Sequence, residues 1–396
     1  MGTIEKFAWG FCARILNAFL PIKKSTWVFG ADYGRSYKEG AKYLFEYVLK
    51  NHSNIECVFI TQDKETYIEL KQRNLPVLLN NTFRGLIAVT RAECVFTCQY
   101  LHDILYTYKK KNRKFYYLLH GMPYKLAMHS LPSNKRTAFQ YTNDNIITKI
   151  RGRLASYFVL DYEMRDVEFI SVTSSFFIPY AQKDFAHEVN IRILGMPRND
   201  GLFNTEEMIK QKWVKGIDGK FVITYMPTHR AYGAGELSPK LFQNKPHIQK
   251  WLKENNIVIL VKQHPNMIPK LQNSKDTDTI IDITKAKLDP QVCLFHSDVL
   301  ITDFSSVWID YLLLMRPLIF YYYDNFEECD AGVHYSIADK GLGISCYNED
   351  ELFESIRNVY EDYEHFRPGK DKINLFHKYI DNKSCERYFK EIIRSK

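Results

Sequence analysis

Four short polar stretches in this chain each follow directly on an apolar run, and each carries side chains able to grip phosphate or move a proton. The first is Leu118-Leu119-His120-Gly121-Met122-Pro123-Tyr124-Lys125. An imidazole is the side chain best suited to take a proton from an attacking hydroxyl near neutral pH, and the glycine beside it allows close approach of another segment. The second is Tyr225-Met226-Pro227-Thr228-His229-Arg230, where Arg230 offers a planar charged fork and Thr228 a hydroxyl. The third is Val261-Lys262-Gln263-His264-Pro265, with Lys262 flanking the site or facing solvent. The fourth runs Leu300-Ile301-Thr302-Asp303-Phe304-Ser305-Ser306-Val307-Trp308-Ile309-Asp310, with a serine pair at a helix start. Free N–H groups and the positive end of the helix dipole bind phosphate there without a metal. Singly, each has a bland reading: a histidine closing a strand, a solvated loop, a plain helix cap. Together they describe one cleft that holds a diphosphate on one side and a hydroxyl on the other.

The elements that must position these residues are legible from periodicity. Apolar runs at Trp27–Gly30, Cys57–Thr61, Val77–Leu79, Cys94–Thr97 and Phe115–Leu119 predict strands. They alternate with helical spacing over Glu39–Lys50 and Phe83–Ala92. The second half repeats the pattern with strands at Phe221–Tyr225, Ile257–Val261, Asp298–Ile301 and Leu318–Tyr321. A helix carrying Val307, Ile309, Leu312 and Leu313 precedes the last of these. Strand and helix in alternation imply parallel sheets covered on both faces, with ligands beyond the carboxyl ends of the strands. Gly, Pro and Asn cluster from Gly195 to Phe203, which places a domain boundary there and divides the chain into 1–200 and 201–396.

The bulk properties bound the partners. With 396 residues, 45% hydrophobic and 25% charged, the chain reads as a folded protein of two domains. A net charge of +8 favours an anionic partner, but Lys and Arg are dispersed rather than striped, which argues against nucleic acid. Cys12, Cys57, Cys94, Cys98, Cys293, Cys329, Cys346 and Cys385 form no C-x-x-C pair and read as small buried hydrophobes in a reducing cytoplasm. Asp276-Thr277-Asp278 reads as a solvated loop rather than a metal motif. No apolar run is long enough to span a bilayer. Ile4, Phe7, Ala8, Phe11, Ile15, Leu16 and Phe19, followed by Lys23-Lys24, describe an amphipathic helix that suits a membrane interface and a protein core equally.

At these motifs the sequence resembles the CDP-glycerol glycerophosphotransferase family of teichoic acid and capsule synthesis. The resemblance runs through His120-Gly121-Met122-Pro123-Tyr124-Lys125, Gly195-Met196-Pro197-Arg198-Asn199-Asp200, Pro227-Thr228-His229-Arg230, His264-Pro265, Thr302-Asp303-Phe304-Ser305-Ser306 with Asp310, and Ser384-Cys385-Glu386-Arg387. Met122, Tyr124 and Met196 depart from the family's usual residues, and the first two adjoin the proposed base, which marks the acceptor side as the place of difference. The resemblance implies a GT-B-like α/β fold: two Rossmann-like domains with parallel sheets facing an interdomain cleft, and a last helix crossing back. It implies His120 as general base. His264, Arg230, Ser305 and Ser306 hold the diphosphate of a CDP-polyol donor, with Gly121, Thr228 and Thr302 as further contacts. Asp303 is a turn organiser or weaker contact, and Arg198 and Asp200 either shape the cleft at the domain junction, with Arg198 as a substrate contact, or are structural. No cofactor or metal is implied. The acceptor is a hydroxyl of a lipid-linked or polymeric substrate at the cytoplasmic face of the inner membrane, and the modest length leans to priming or short polymerisation. A nucleotide-sugar glycosyltransferase, a nucleotide-sugar 2-epimerase and a non-catalytic basic membrane-docking protein are the rival readings.

Overall fold

The computed structural model describes residues 3–99, 101–131, 158, 160–185, 189–211, 213–228, 241–242, 244–263, 277–286, 288–324, 332–337 and 340–395. Buried β-branched and aromatic runs form the first sheet: β1 (Lys23–Phe29), β2 (Glu56–Thr61), β3 (Val77–Leu79), β4 (Ala92–Thr97) and β5 (Lys114–Tyr117). Its order is β3-β2-β1-β4-β5 and all its pairs are parallel. A small parallel pair follows, β6 (Ile170–Val172) with β7 (Ile191–Ile193). The second sheet contains β8 (Phe221–Met226), β9 (Ile257–Val261), β10 (Ile280–Asp282), β11 (Val299–Thr302), β12 (Leu318–Tyr321) and β13 (Ile344–Cys346). Its order, β10-β9-β8-β11-β12-β13, reverses direction between β8 and β11, and it too is parallel throughout. That reversal is the point at which open α/β sheets bind ligands, because the connections leave on opposite faces and open a crevice.

The two sheets share buried material. One apolar cluster joins Met122, Tyr124, Val172 and Phe177 to Trp308, Leu300 and Phe376, so packed side chains run between the two halves. Tyr124 meets Trp308 edge to face at 5.8 Å. Met122, Tyr124 and Met196 are 4%, 2% and 0% exposed, so the departures from the family pattern repack this core and do not face an acceptor, contrary to expectation. Of the described cysteines, six are buried and Cys12 is exposed, so the buried reading fails at that one position; Cys329 lies outside the described residues.

The helix Ser384–Arg394 sends Cys385, Tyr388 and Ile392 into the cluster of Trp27, Phe29 and Phe96 on the first sheet. Asp200 caps it, accepting from the N–H groups of Ser384 at 2.8 Å and Cys385 at 2.7 Å. Gly195, at φ +86, is the residue without a Cβ that lets Ser384 approach. Truncating Tyr388, 1% exposed, to alanine empties a large space in a close-packed core. Urea unfolding of Tyr388→Ala is expected to show a loss of about 3–5 kcal/mol, against less than about 0.5 kcal/mol for a surface change such as Lys390→Ala.

Candidate active site

His120 reaches its position because the chain leaves β5 after Tyr117 and turns at Leu119, a buried leucine held at φ +60. The turn ends the strand two residues before the apolar run stops, and it throws the His120 side chain out to 49% exposure. Its Nδ1 lies 3.3 Å from Oε1 of Glu39, which is 4% exposed. Glu39 opens the helix α2 (Glu39–Asn51), also at positive φ, +63. Two non-glycine residues in the left-handed region therefore bracket the histidine, and such strain persists only where surrounding structure enforces it.

Arg198 binds the same carboxylate from the other side. Its Nη1 donates to Glu39 Oε2 at 2.8 Å and also to the backbone carbonyl of His120. Its Nε and Nη2 lie 2.8 and 2.7 Å from Asp310 Oδ2. Burial alone would raise Glu39, but the contact with His120 and the charges of Arg198 and Lys38 outweigh it and hold the carboxyl far below the usual carboxylate range. Burial likewise works against the Arg198 charge, and Asp310 and Glu39 more than restore it. Glu39 escaped the sequence reading because a lone acidic residue in a first helical turn is ordinary surface chemistry; only the tertiary fold buries it.

The donor side is built on the switch point of the second sheet. Thr302 is fully buried and its hydroxyl donates to the Met226 carbonyl at 2.7 Å. Asp303, also fully buried, accepts from the Thr228 N–H at 2.8 Å. These bonds tie the tips of β8 and β11 together, so Thr302 and Asp303 help to hold the shape of the crevice. Ser305 and Ser306 follow, both partly exposed, before the helix Val307–Tyr311. Ser306 caps no N–H of that helix. With five residues and one further 3-10 turn, the helix carries a smaller dipole than a long helix would, which leaves the serine hydroxyls and backbone N–H groups as the main polar groups there.

The two sides meet at Gly121. A Cβ on it would collide with Ser306 Oγ, and Arg198 Nη2 stands 3.9 Å from the same point. His120-Gly121, Arg198 and Ser306 therefore converge, although they come from different parts of the chain. Thr228 is tied through its N–H to Asp303; Arg230 and His264 are outside the described residues, as is His229. Lys262, expected to flank the site or face solvent, is partly buried at the tip of β9. Burial lowers its ammonium below the usual lysine range, and Lys38 at the start of α2 acts in the same direction. Asp278 pairs with Lys253 at the surface, away from this cleft.

Residues 13–394 match the family described as CDP-glycerol:poly(glycerophosphate) glycerophosphotransferase. The chain belongs to that family. Members with which it aligns include the teichoic acid ribitol-phosphate polymerase TarK of Staphylococcus aureus, 24% identical over 96% of this chain and 70% of that one. The teichoic acid glycerol-phosphate transferase of the same organism is 25% identical over 84% of this chain and 83% of its own. Against the teichoic acid poly(glycerol phosphate) polymerase of Bacillus subtilis the identity is 23%, and the chain spans only 44% of that protein. The fold is that of the wall teichoic acid polymerase TagF, with TM-score 0.72, 20% identity and coverage of 99% of this chain and 93% of the other. A UDP-GlcNAc 2-epimerase from Neisseria meningitidis shares the architecture more distantly, at TM-score 0.53 and 11% identity. The GT-B-like reading of the fold holds, and the chain is a polyol-phosphate transferase by family.

Proposed function

We propose that this family member transfers glycerol phosphate, or a related polyol phosphate, from a CDP-linked donor to a hydroxyl of a teichoic acid-type acceptor at the cytoplasmic membrane face. The observation that supports it is the contact of the His120-Gly121 turn with Ser306 at the switch point of the second sheet. His120 Nε2 takes the acceptor proton. The freed oxygen lone pair forms a bond to the phosphorus distal to cytidine, the bond from that phosphorus to the bridging oxygen breaks, and CMP leaves with the electron pair. Phosphoryl transfer needs positioning and neutralisation of charge on the bridging and equatorial oxygens. Ser305, Ser306, Arg230 and His264 supply that neutralisation, with Lys262 adding a positive charge at the tip of β9. Incubation with labelled CDP-glycerol, CDP-ribitol and UDP-GlcNAc in parallel tests the reading. Release of CMP matched by incorporation of label supports it, and release of UDP alone defeats it.

Membrane docking belongs to the same proposal. In the helix α1 (Thr3–Phe19), Ala13 is buried and packs with Trp9, Leu16, Leu86 and Tyr108, while Arg14 pairs with Asp161 at 2.7 Å. The other face leaves Phe11, Ile15 and Phe19 at 58%, 44% and 82% exposure, close to the exposed Lys24. The helix thus joins the core by one face and offers the second to a lipid interface; among the described residues no helix is long and apolar enough to cross a membrane. Each buried phenylalanine contributes about 1.5–3 kcal/mol. Phe11→Ser with Phe19→Ser is expected to weaken co-sedimentation with phosphatidylglycerol vesicles at least tenfold, and unchanged binding would remove α1 from this role.

A further inference from the structure

We infer that Glu39 is a positioning residue that selects the tautomer of His120, and that Arg198 links this selection to the donor-side helix through Asp310. The inference rests on the reading of His120 as the base and names what sets that base. Glu39 uses both carboxylate oxygens, Oε1 towards His120 Nδ1 at 3.3 Å and Oε2 towards Arg198 Nη1 at 2.8 Å. A carboxylate kept ionised in this way can only accept, so Nδ1 of His120 carries hydrogen and Nε2 presents its lone pair to the cleft. The neutral ring with the opposite tautomer would bring two acceptors together at Nδ1 and would point an N–H, useless to a base, at the acceptor hydroxyl.

Arg198 extends this control across the molecule. It is 8% exposed, and it holds the His120 backbone carbonyl as well as Glu39, so it addresses both the ring's partner and the turn that carries the ring. Its remaining nitrogens are taken by Asp310, four residues beyond Ser306 on the helix that starts at the serine pair. A chain of contacts thus runs from the half-exposed His120 ring through the buried charges of Glu39, Arg198 and Asp310. Moving the donor-side helix away would strip Arg198 of a counter-charge and loosen Glu39, so the base is set only while the donor cradle is docked. Lys38, which adds to the field at Glu39, is itself paired with Asp32 at 3.0 Å and leaves the chain intact.

The test is nitrogen-15 NMR of histidine-labelled protein, with the His120 signals assigned among the 12 histidines by their loss in His120→Ala. The parent protein is expected to show His120 as the Nδ1–H tautomer when neutral. Glu39→Gln is expected to abolish that preference and to lower kcat for transfer at least about tenfold, because a misoriented histidine loses base function, with KM for CDP-glycerol within twofold of the parent. Asp310→Asn, which touches neither substrate, is expected to shift the tautomer balance in the same direction. An Nε2–H tautomer in the parent overturns the inference without any variant having to fold, and so does a Glu39→Gln protein with unchanged spectrum and kcat. Turnover retained in His120→Ala would instead defeat the base assignment while leaving the tautomer result to stand on its own.

Discussion

His120→Ala is expected to lower kcat for polyol-phosphate transfer by about 10²–10⁴-fold, the range that a positioned general base contributes. The donor should bind the variant with near-normal affinity, since Ser305 and Ser306, both assigned to the diphosphate, follow β11 of the second sheet. Half of the His120 side chain is exposed, so the truncation opens no core cavity and the fold should persist. Steady-state CMP release and isothermal titration with CDP-glycerol separate the two effects. A variant that loses affinity and turnover together would place His120 among the donor ligands; one that keeps turnover would take it out of the chemistry.

The second large effect is expected at Arg198. Arg198→Met removes the cation between two buried carboxylates, 4% and 3% exposed. Asp310 Oδ1 already has no hydrogen-bond partner among the described residues, so the variant would leave that carboxylate bare. Breaking one side of a buried ion pair costs about 3–5 kcal/mol because the orphaned charge remains desolvated. Urea unfolding of Arg198→Met should show a loss of that order, and transfer should fall with it. Arg198→Lys should recover little, since a single ammonium cannot reach Asp310 and Glu39 through separate nitrogens. The sign of the acid response follows from Glu39. Its carboxyl is held down in the folded state, so its contribution to stability is fully present above the unfolded carboxyl value of about 4.3 and fades as pH falls below that toward the lower folded value. Stability measured from pH 6 to pH 3 should therefore fall less steeply in Glu39→Gln than in the parent.

Much of this architecture could be read from residue order, and the exceptions have physical causes. Val77–Leu79, Ile257–Val261 and Leu318–Tyr321 are strands at the boundaries that their apolar runs suggest, because burial on both faces of a parallel sheet demands an uninterrupted run. The strands β6, β7, β10 and β13 were not legible: each has three residues, and Ile191–Ile193 and Ile280–Asp282 are only half-buried and carry a charged residue. His120, Gly121, Arg198 and Ser306 were named from motif position, and the structure brings them together. Their partnership was not legible, since Glu39 lies far upstream and Asp310 was named only as part of the serine-pair motif. Thr302 was read as a further ligand contact and Asp303 as a turn organiser or weaker contact; Asp303 does tie a turn, through the Thr228 N–H, and the Thr302 hydroxyl serves the Met226 carbonyl, because polar residues nearest a strand end also have to satisfy the adjoining backbone. At Met122 and Tyr124 nearness in sequence to the base misled, because the chain turns them into the core while His120 points out.

One determination bears on all of this: a crystal structure with a non-transferable CDP-glycerol analogue. The phosphorus distal to cytidine should lie beside Ser306 Oγ, with His120 Nε2 placed to reach a hydroxyl, directly or through one water, on the side opposite the bridging oxygen. A diphosphate seated away from the Ser305–Ser306 turn, or a His120 ring pointing out of the occupied cleft, would contradict the assignment.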